Sequence, residues 1–435
     1  MSVYLKTLGC RLNEAELERW GQQFRNAGYS IAQTPEQAAL VVINTCAVTA
    51  MAVRKSRHAI RQLARRNPQA RLVVSGCYAT LEPTSVAAEL GVDLVVSNQD
   101  KDQLVERTRH LLAQPSAPVA ATEPGSAALF ARGRSRAFIK VQDGCRYRCT
   151  FCITTVARGD ERSRPIRAII EEINQYTAAG VQEIVLTGVQ LAGYGNDQES
   201  DLAELLAAIL DKTDIPRIRL GSLEPWGWPP RLLDVFANPR VQPHLHLPLQ
   251  SGSDRILRRM ARRCWRDEFS HLAHHIRAVI PEVNLTTDII VGFPGETAAD
   301  WQQTLELVEQ VEFGHLHIFP FSPRAGTRAA DLPDPVSTQT QQTRVAELHA
   351  LGQRLKRARL SRYLGWTGPV LWEHQPRQGR YWGYTPHYLR VTTPLPVSGI
   401  RATQLSTLDA SGEFLHAKLL ETTPTTEVTV NHARC

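Results

Sequence analysis

Six of the eight cysteines fall into two groups of three, and thiols are the side chains here best suited to hold a reactive centre. Cys145, Cys149 and Cys152 form C-x3-C-x2-C in VQDGCRYRCTFC, directly after a predicted strand. Three thiolates on one short loop can hold three corners of an iron–sulfur cube, which leaves the fourth iron free to bind a small molecule. Structural zinc fits less well, because it wants four protein ligands and usually takes them as two C-x2-C pairs. The second group is dispersed. Cys10, Cys46 and Cys77 end the segments KTLGC, VINTC and VVSGC, each just past the carboxyl end of a predicted strand. In a parallel sheet those ends share one edge, where ligands bind in open α/β folds. Gly9 and Gly76 suit tight turns that expose a thiol. Core packing stays open as a reading of this second group, since free cysteine is commonly buried. Cys264, after a basic run on an expected exposed helical end, and the terminal Cys435 have no cysteine neighbours and read as bystanders. His244, His246, His315 and His317 alternate as strand residues do and read as satisfied histidines rather than metal ligands.

The elements that must position these thiols follow from periodicity. Short apolar runs at 3–8, 40–44, 72–75 and 94–97 alternate with helical patterns such as 14–26 and 53–66, which implies βαβ units and a parallel sheet. Residues 113–130, rich in Ala, Pro and Ser, read as a linker. From 131 to 364 a second alternation follows, with strands at 137–141, 183–187, 217–222, 244–249, 284–291 and 315–319. Helical patterns lie at 168–178, 203–210, 269–279 and 301–312, and a basic helix at 345–363 leads out. Six βα repeats suggest an incomplete barrel, short of eight. Residues 365–435 change to alternating apolar residues with Thr- and Pro-rich turns, which reads as a small β-barrel. The expected class is therefore α/β, with an N-terminal parallel-sheet domain (1–112), a central partial (βα)6 barrel and a small all-β barrel.

Composition bounds the rest. In 435 residues, 43% are hydrophobic and 21% charged, with a net charge of +7, ordinary for a soluble globular chain. No apolar run approaches the roughly 18 residues of a membrane span, and MSVYLKTLGC lacks a secretory apolar region, so a cytosolic protein is expected. Eight cysteines in this length are too few for a disulfide scaffold.

With the C-x3-C-x2-C loop, the segments TLGCRLNEAE, NTCAVTAMAVRKSR and VVSGCYA resemble the radical S-adenosylmethionine methylthiotransferases, specifically the branch acting on threonylcarbamoyladenosine in tRNA. The likeness continues through LTGVQLAGYG, LGSLEP, HLHLPLQSGSDRIL, DIIVGFPGET, FPFSPRAGTRA and GYTPHYLRV, in the family's order. It departs at Ile153–Val156, where a proline is usual, and at Arg262–Trp265, where Arg-Arg-Tyr-Thr is common. The resemblance implies a radical barrel whose Cys145, Cys149 and Cys152 hold a 4Fe-4S cluster that binds and cleaves S-adenosylmethionine. It implies a second 4Fe-4S cluster on Cys10, Cys46 and Cys77, where sulfur is methylated and delivered, and a C-terminal RNA-binding barrel of the TRAM type. Two molecules of S-adenosylmethionine would be used, one as methyl donor and one as radical source. Thr187, Gly188, Glu224, Gln250, Ser251 and Asp288 fall near carboxyl ends of central strands, where a barrel builds its site, and are candidates for cofactor binding. Glu224 and Asp288 could accept hydrogen bonds from the ammonium or ribose hydroxyls of the cofactor, with loop or helix capping as their other reading. Arg158 and Arg324 are candidate carboxylate or substrate contacts.

For RNA, residues 54–71 hold seven basic residues and no acidic one, and a further run comprises Arg354, Lys356, Arg357, Arg359 and Arg362. One-sign stretches suggest phosphate contact. Among the barrel aromatics, Trp366 and Tyr388 read as core, whereas Tyr381, Trp382 and Tyr384 divide between core and base stacking. The expected partners are a tRNA anticodon stem-loop and a flavodoxin- or ferredoxin-like electron donor, with a monomeric chain and no membrane. Alternatives are isopentenyladenosine in tRNA, an aspartate of a ribosomal protein, or a non-catalytic iron–sulfur RNA-binding protein. The last predicts four protein ligands per metal, whereas each group here has three.

Overall fold

The computed structural model describes residues 1–112 and 135–420; the expected linker 113–130 and Cys435 lie outside them. The N-terminal sheet comprises β1 (Ser2–Thr7), β2 (Ser30–Ile31), β3 (Leu40–Thr45), β4 (Arg71–Gly76) and β5 (Leu94–Val96). Its order is β2-β1-β3-β4-β5, and every pairing is parallel. All six residues of β3 are buried, as a central strand covered on both faces requires. The accompanying helices are α1 (Arg11–Asn26), α2 (Ala50–Arg66), α3 (Cys77–Leu81), α4 (Pro83–Leu90) and α5 (Leu104–Thr108). On one face Val41, Ile43 and Val74 meet Val53, Ile60 and Leu63 of α2. On the other, Val3, Leu5, Val42 and Val73 meet Leu17, Trp20 and Phe24 of α1.

The second unit begins with β6 (Arg136–Lys140). β7 (Gln142–Asp143) pairs antiparallel with β8 (Arg162–Ser163), pinching the base of the loop that carries Cys145, Cys149, Cys152 and α6 (Thr154–Arg158). Then come α7 (Ile166–Ala178), β9 (Glu183–Thr187), α8 (Leu202–Lys212), β10 (Arg217–Leu220), β11 (His244–His246), α9 (Asp254–Arg259) and α10 (Arg266–Val279). They are followed by β12 (Asn284–Val291), α11 (Ala298–Val311), β13 (His315–Pro320) and α12 (Thr338–Ser361). β10-β9-β6 and β11-β12-β13 are parallel runs joined by the bridges Ile218↔Val241 and Ser222↔His246, so six strands make one open arc. β11 is shorter than the expected 244–249, because Pro248 has no N–H for the ladder and Gln250 takes a positive φ of 75°. The short β2, β7, β8 and α9 were not foreseen.

α1 joins the two units because it is buried on two sides. Ala15 packs with Phe138 and Val185 of the second unit, and Glu18 accepts a hydrogen bond from the Phe138 N–H at 3.1 Å.

β14 (Thr367–Trp372), β15 (Tyr381–Tyr384), β16 (Arg390–Thr393), β17 (Gly399–Leu408) and β18 (Leu415–Leu419) close into a small barrel around Val370, Trp372, Val391 and Leu405. It is docked through guanidiniums that share one carboxylate. Glu183, fully buried, pairs with Arg217 at 3.0 Å, Arg219 at 3.1 Å and Arg136 at 3.8 Å. Arg217 donates onward to Thr385 O (3.1 Å) and Arg219 to Pro386 O (3.0 Å). Arg136 and Arg219 lie over the rings of Tyr384 and Tyr388 at 4.3 and 4.6 Å. Burial alone would raise the Glu183 pKa, but Arg219, Arg217 and Arg136 overcome it and hold the carboxyl at about 2. Its stabilisation is therefore present above the unfolded value of 4.5 and is lost as pH falls from there through about 2. Glu183→Gln strands three guanidiniums and is expected to cost roughly 3–5 kcal/mol. The check is melting temperature against pH: wild type declines steeply below about pH 4.5, whereas the variant starts lower and declines less.

Candidate functional site

Each thiol of the dispersed group occupies a strand-to-helix junction. Cys10 is the N-cap of α1, Cys46 follows β3, and Cys77 opens α3. Gly9 and Gly76 adopt φ of 101° and 100°, as the tight turns demand. A side chain at Gly9 would lie 2.8 Å from Cys46 Sγ, and one at Gly76 2.2 Å from Thr45 O, so glycine is what lets these junctions approach. Ser56 of α2 clasps Cys46, accepting from its N–H at 3.1 Å and donating to its carbonyl at 2.9 Å.

All six cysteines of the two groups line one cavity of ≈ 1070 Å³, and none is in a disulfide. The arc's strand ends face the edge of the N-terminal sheet across it, and the small barrel closes one end with Tyr384, Tyr388 and Leu389. Burial pushes the Cys46 thiol up to about 11 and the Cys145 thiol up to about 12. Both are protonated at neutral pH, so binding iron must release their protons and weakens as pH falls. Three thiols per group, unpaired and opening on a shared space, are a donor set suited to an iron–sulfur cube with one iron left for a ligand.

The six cofactor-binding candidates separate. Thr187, Gly188, Glu224, Gln250 and Asp288 line the cavity. Ser251 does not: it is fully buried, with its hydroxyl 3.4 Å from Thr304 Oγ1, and serves the turn into α9. Glu224 is held by Arg262 at 2.7 Å, and the same guanidinium reaches Cys149 Sγ at 3.9 Å and stacks 4.4 Å over Trp226. Arg158 lines the cavity, with its guanidinium buried in ion pairs with Glu16 and Asp143. Arg324 does not line the cavity. Cys264, expected on an exposed helical end, is buried in the arc's apolar core.

The histidines expected to be satisfied strand residues also face the cavity. His244, His246, His315 and His317 all line the cavity. His246 sits 3.2 Å from Asp288 through Nε2 and 2.9 Å from the Thr286 hydroxyl through Nδ1, and the donor atoms of His246, Asp288 and His317 lie within 4.8 Å of one another. Burial lowers His315 to about 4, and His317 also falls, with burial first and His246 second among the causes. Both are neutral at neutral pH and can each donate or accept one hydrogen bond. Alternation along a strand signalled these residues, but it could not tell an arc interior filled by side chains from one left open. Tyr388, read as core, instead stacks on Tyr384 at 4.9 Å inside the cavity.

The basic run at 354–362 has partners within the chain. Arg354 pairs with Glu309, Lys356 with Glu413 and Arg362 with Glu312, while Arg359 donates to Val283 O. On α2, by contrast, Arg54, Lys55, Arg61 and Arg65 are exposed and form no ion pair among the described residues.

Each thiol group should take up iron independently. Cys149→Ala and Cys46→Ala are expected each to lower bound iron by about half after anaerobic reconstitution. Iron assay checks this: a full iron load in either variant contradicts the grouping.

Comparison with known proteins agrees with this geometry. Residues 2–97 match uncharacterized protein family UPF0004, and residues 139–308 match the radical SAM superfamily. The chain is 37% identical to the threonylcarbamoyladenosine tRNA methylthiotransferase MtaB of Thermotoga maritima, over 89% of this chain and 90% of that one. It is 34% identical to the MtaB of Bacillus subtilis, over 90% of each. Among solved structures, the radical S-adenosylmethionine methyltransferase TsrM of Kitasatospora setae superposes with a TM-score of 0.56 at 15% identity, covering 76% of this chain and 77% of that one, which shows the fold alone. With a C-x3-C-x2-C loop at the mouth of a six-stranded arc, and similarity to those relatives over about nine-tenths of its length, the chain belongs to the radical S-adenosylmethionine methylthiotransferases.

Proposed function

We propose that this chain is a tRNA methylthiotransferase that adds a methylthio group to position 2 of N6-threonylcarbamoyladenosine beside the anticodon. The observation that carries the reading is that two three-thiol groups open onto one cavity. A methylthiotransferase must generate a radical and deliver sulfur at the same carbon, and separated sites could not do both. When bound, a 4Fe-4S cluster with S-adenosylmethionine supplies the radical, and a second cluster supplies the sulfur. Cys145, Cys149 and Cys152 would hold the first and Cys10, Cys46 and Cys77 the second. A small electron carrier of the flavodoxin or ferredoxin kind provides the electrons. The threonylcarbamoyl target rests on the two relatives named above.

The chain's own residues bind and orient. Glu224, fixed by Arg262, presents a carboxylate that accepts hydrogen bonds from a bound ammonium group, and Asp288 accepts from ribose hydroxyls. The neutral His315 and His317 offer single hydrogen bonds to the substrate base. Apolar and aromatic walls, including Phe138, Phe151 and Trp226, limit water around the reacting atoms. The exposed cations of α2 meet tRNA phosphates, and the C-terminal barrel adds an RNA surface.

Mass spectrometry of tRNA nucleosides from cells with and without the gene tests the substrate. Selective loss of the methylthio form of threonylcarbamoyladenosine is expected; loss of the isopentenyl form instead shifts the target, and an unchanged tRNA pool rejects tRNA as substrate. For the basic helix, Arg61→Glu with Arg65→Glu is expected to weaken tRNA binding roughly tenfold or more near physiological salt and to flatten its salt dependence. Filter binding across a salt series checks it, and an unchanged slope removes α2 from the interface.

A further inference from the structure

The two thiol groups come from different units, and a buried ionic network joins the loops that carry them. Arg158 ends α6, in the same loop as Cys145, Cys149 and Cys152, and its side chain is 2% exposed. One terminal nitrogen donates to Glu16 at 3.0 Å and Asp143 at 2.8 Å, and the other to Asn13 Oδ1 at 2.8 Å. Asn13 in turn donates to Leu8 O at 2.7 Å and Thr45 O at 3.1 Å, backbone just before Cys10 and Cys46, and its Oδ1 lies 3.7 Å from Cys10 Sγ. Next to Arg158, Ala157 O accepts from Asn98, whose amide nitrogen also stands 3.7 Å from Cys77 Sγ. Every loop of the dispersed group is thus tied within two hydrogen bonds to residues 157 and 158.

The charges do not cancel. Lys101 and Lys140 complete the network, with Lys101 at 2.6 Å from Glu16, and Lys140 at 3.3 Å from Asp143 and 3.5 Å from Glu16. Three buried cations therefore face two buried carboxylates; Asp102, 3.6 Å from Lys140, is 65% exposed and screened by water. An excess buried cation is unfavourable unless an anion stands beside it. The thiols of Cys10, Cys46 and Cys77 stand there, and they become anions when they ligate a metal. A planar guanidinium is needed because a lysine ammonium could not hold three acceptors on two separate elements in one plane.

We propose that Arg158 is a positioning residue for the Cys10–Cys46–Cys77 group: it locks the loops of that group to the Cys145–Cys152 loop and is the counter-charge for its metal-bound thiolates. This rests on the reading that the dispersed group holds a cluster, and the test separates the two. In protein carrying Cys145→Ala, Cys149→Ala and Cys152→Ala together, only the dispersed group can take up iron, and its midpoint potential is followed by electron paramagnetic resonance. Arg158→Gln removes one positive charge and should move the potential to more negative values, because the reduced, more anionic state loses its stabiliser. Asp143→Asn raises the net charge of the same network and should move the potential the opposite way, which keeps the test decisive if Arg158→Gln does not fold. Arg158→Lys should leave the potential near that of the parent. Placed alone in the otherwise unaltered chain, it should raise the ratio of 5′-deoxyadenosine formed to methylthio product by about tenfold, as the locked separation is lost. Iron bound with an unshifted potential in both charge variants overturns the proposal and leaves Arg158 as structural glue. No iron bound in the triple-alanine parent overturns the cluster reading on which it stands.

Discussion

Two parallel sheets, each with its carboxyl-end edge bearing three thiols, must face one another across a gap that is neither flooded nor filled. Everything else follows from how that gap is held. α1 is buried on both sides and acts as a shared wall: Leu17, Trp20 and Phe24 belong to one core, Ala15 to the other. Its polar residues Asn13, Glu16 and Glu18 are buried because each meets a partner in or beside the second unit. A buried carboxylate is costly when alone, so burying Glu16 requires Arg158 and Lys140 of the second unit to stand against α1.

At the other end, one carboxylate performs a similar task for the small barrel. Glu183 gathers three guanidiniums, which then reach the backbone of residues 385 and 386 and lie over two tyrosine rings. The barrel is thereby part of the cavity's wall as well as a candidate RNA-binding appendage.

Much of this was legible in the sequence, for definite reasons. Strand residues such as those of β9 and β12 form apolar runs bounded by turns, and these two strands fall at the expected residues. The cysteines were legible because their positions relative to strand ends carry meaning in a parallel sheet. Features built from long-range charge pairing were not. Nothing local says that Arg219 will meet Glu183, or that Arg354, Lys356 and Arg362 will stand beside Glu309, Glu413 and Glu312. A basic run looks the same in sequence whether its partners are internal or external. Gln250 and Ser251 show the finer limit: they are neighbours, yet Gln250, at a positive φ, lines the cavity while Ser251 is buried in the turn that leads into α9.

The closing of the cavity by Tyr384 and Tyr388 has a topological consequence. A space of ≈ 1070 Å³ walled by two sheets and a barrel admits a nucleoside beside a small cofactor, but no stacked helix. A target base can reach the thiols only by swinging out of its loop, trading its neighbours' stacking for the faces of aromatic side chains. Selection then begins before any atom of the base is read: nucleotides that leave their stack at little cost enter, and those locked in pairs do not.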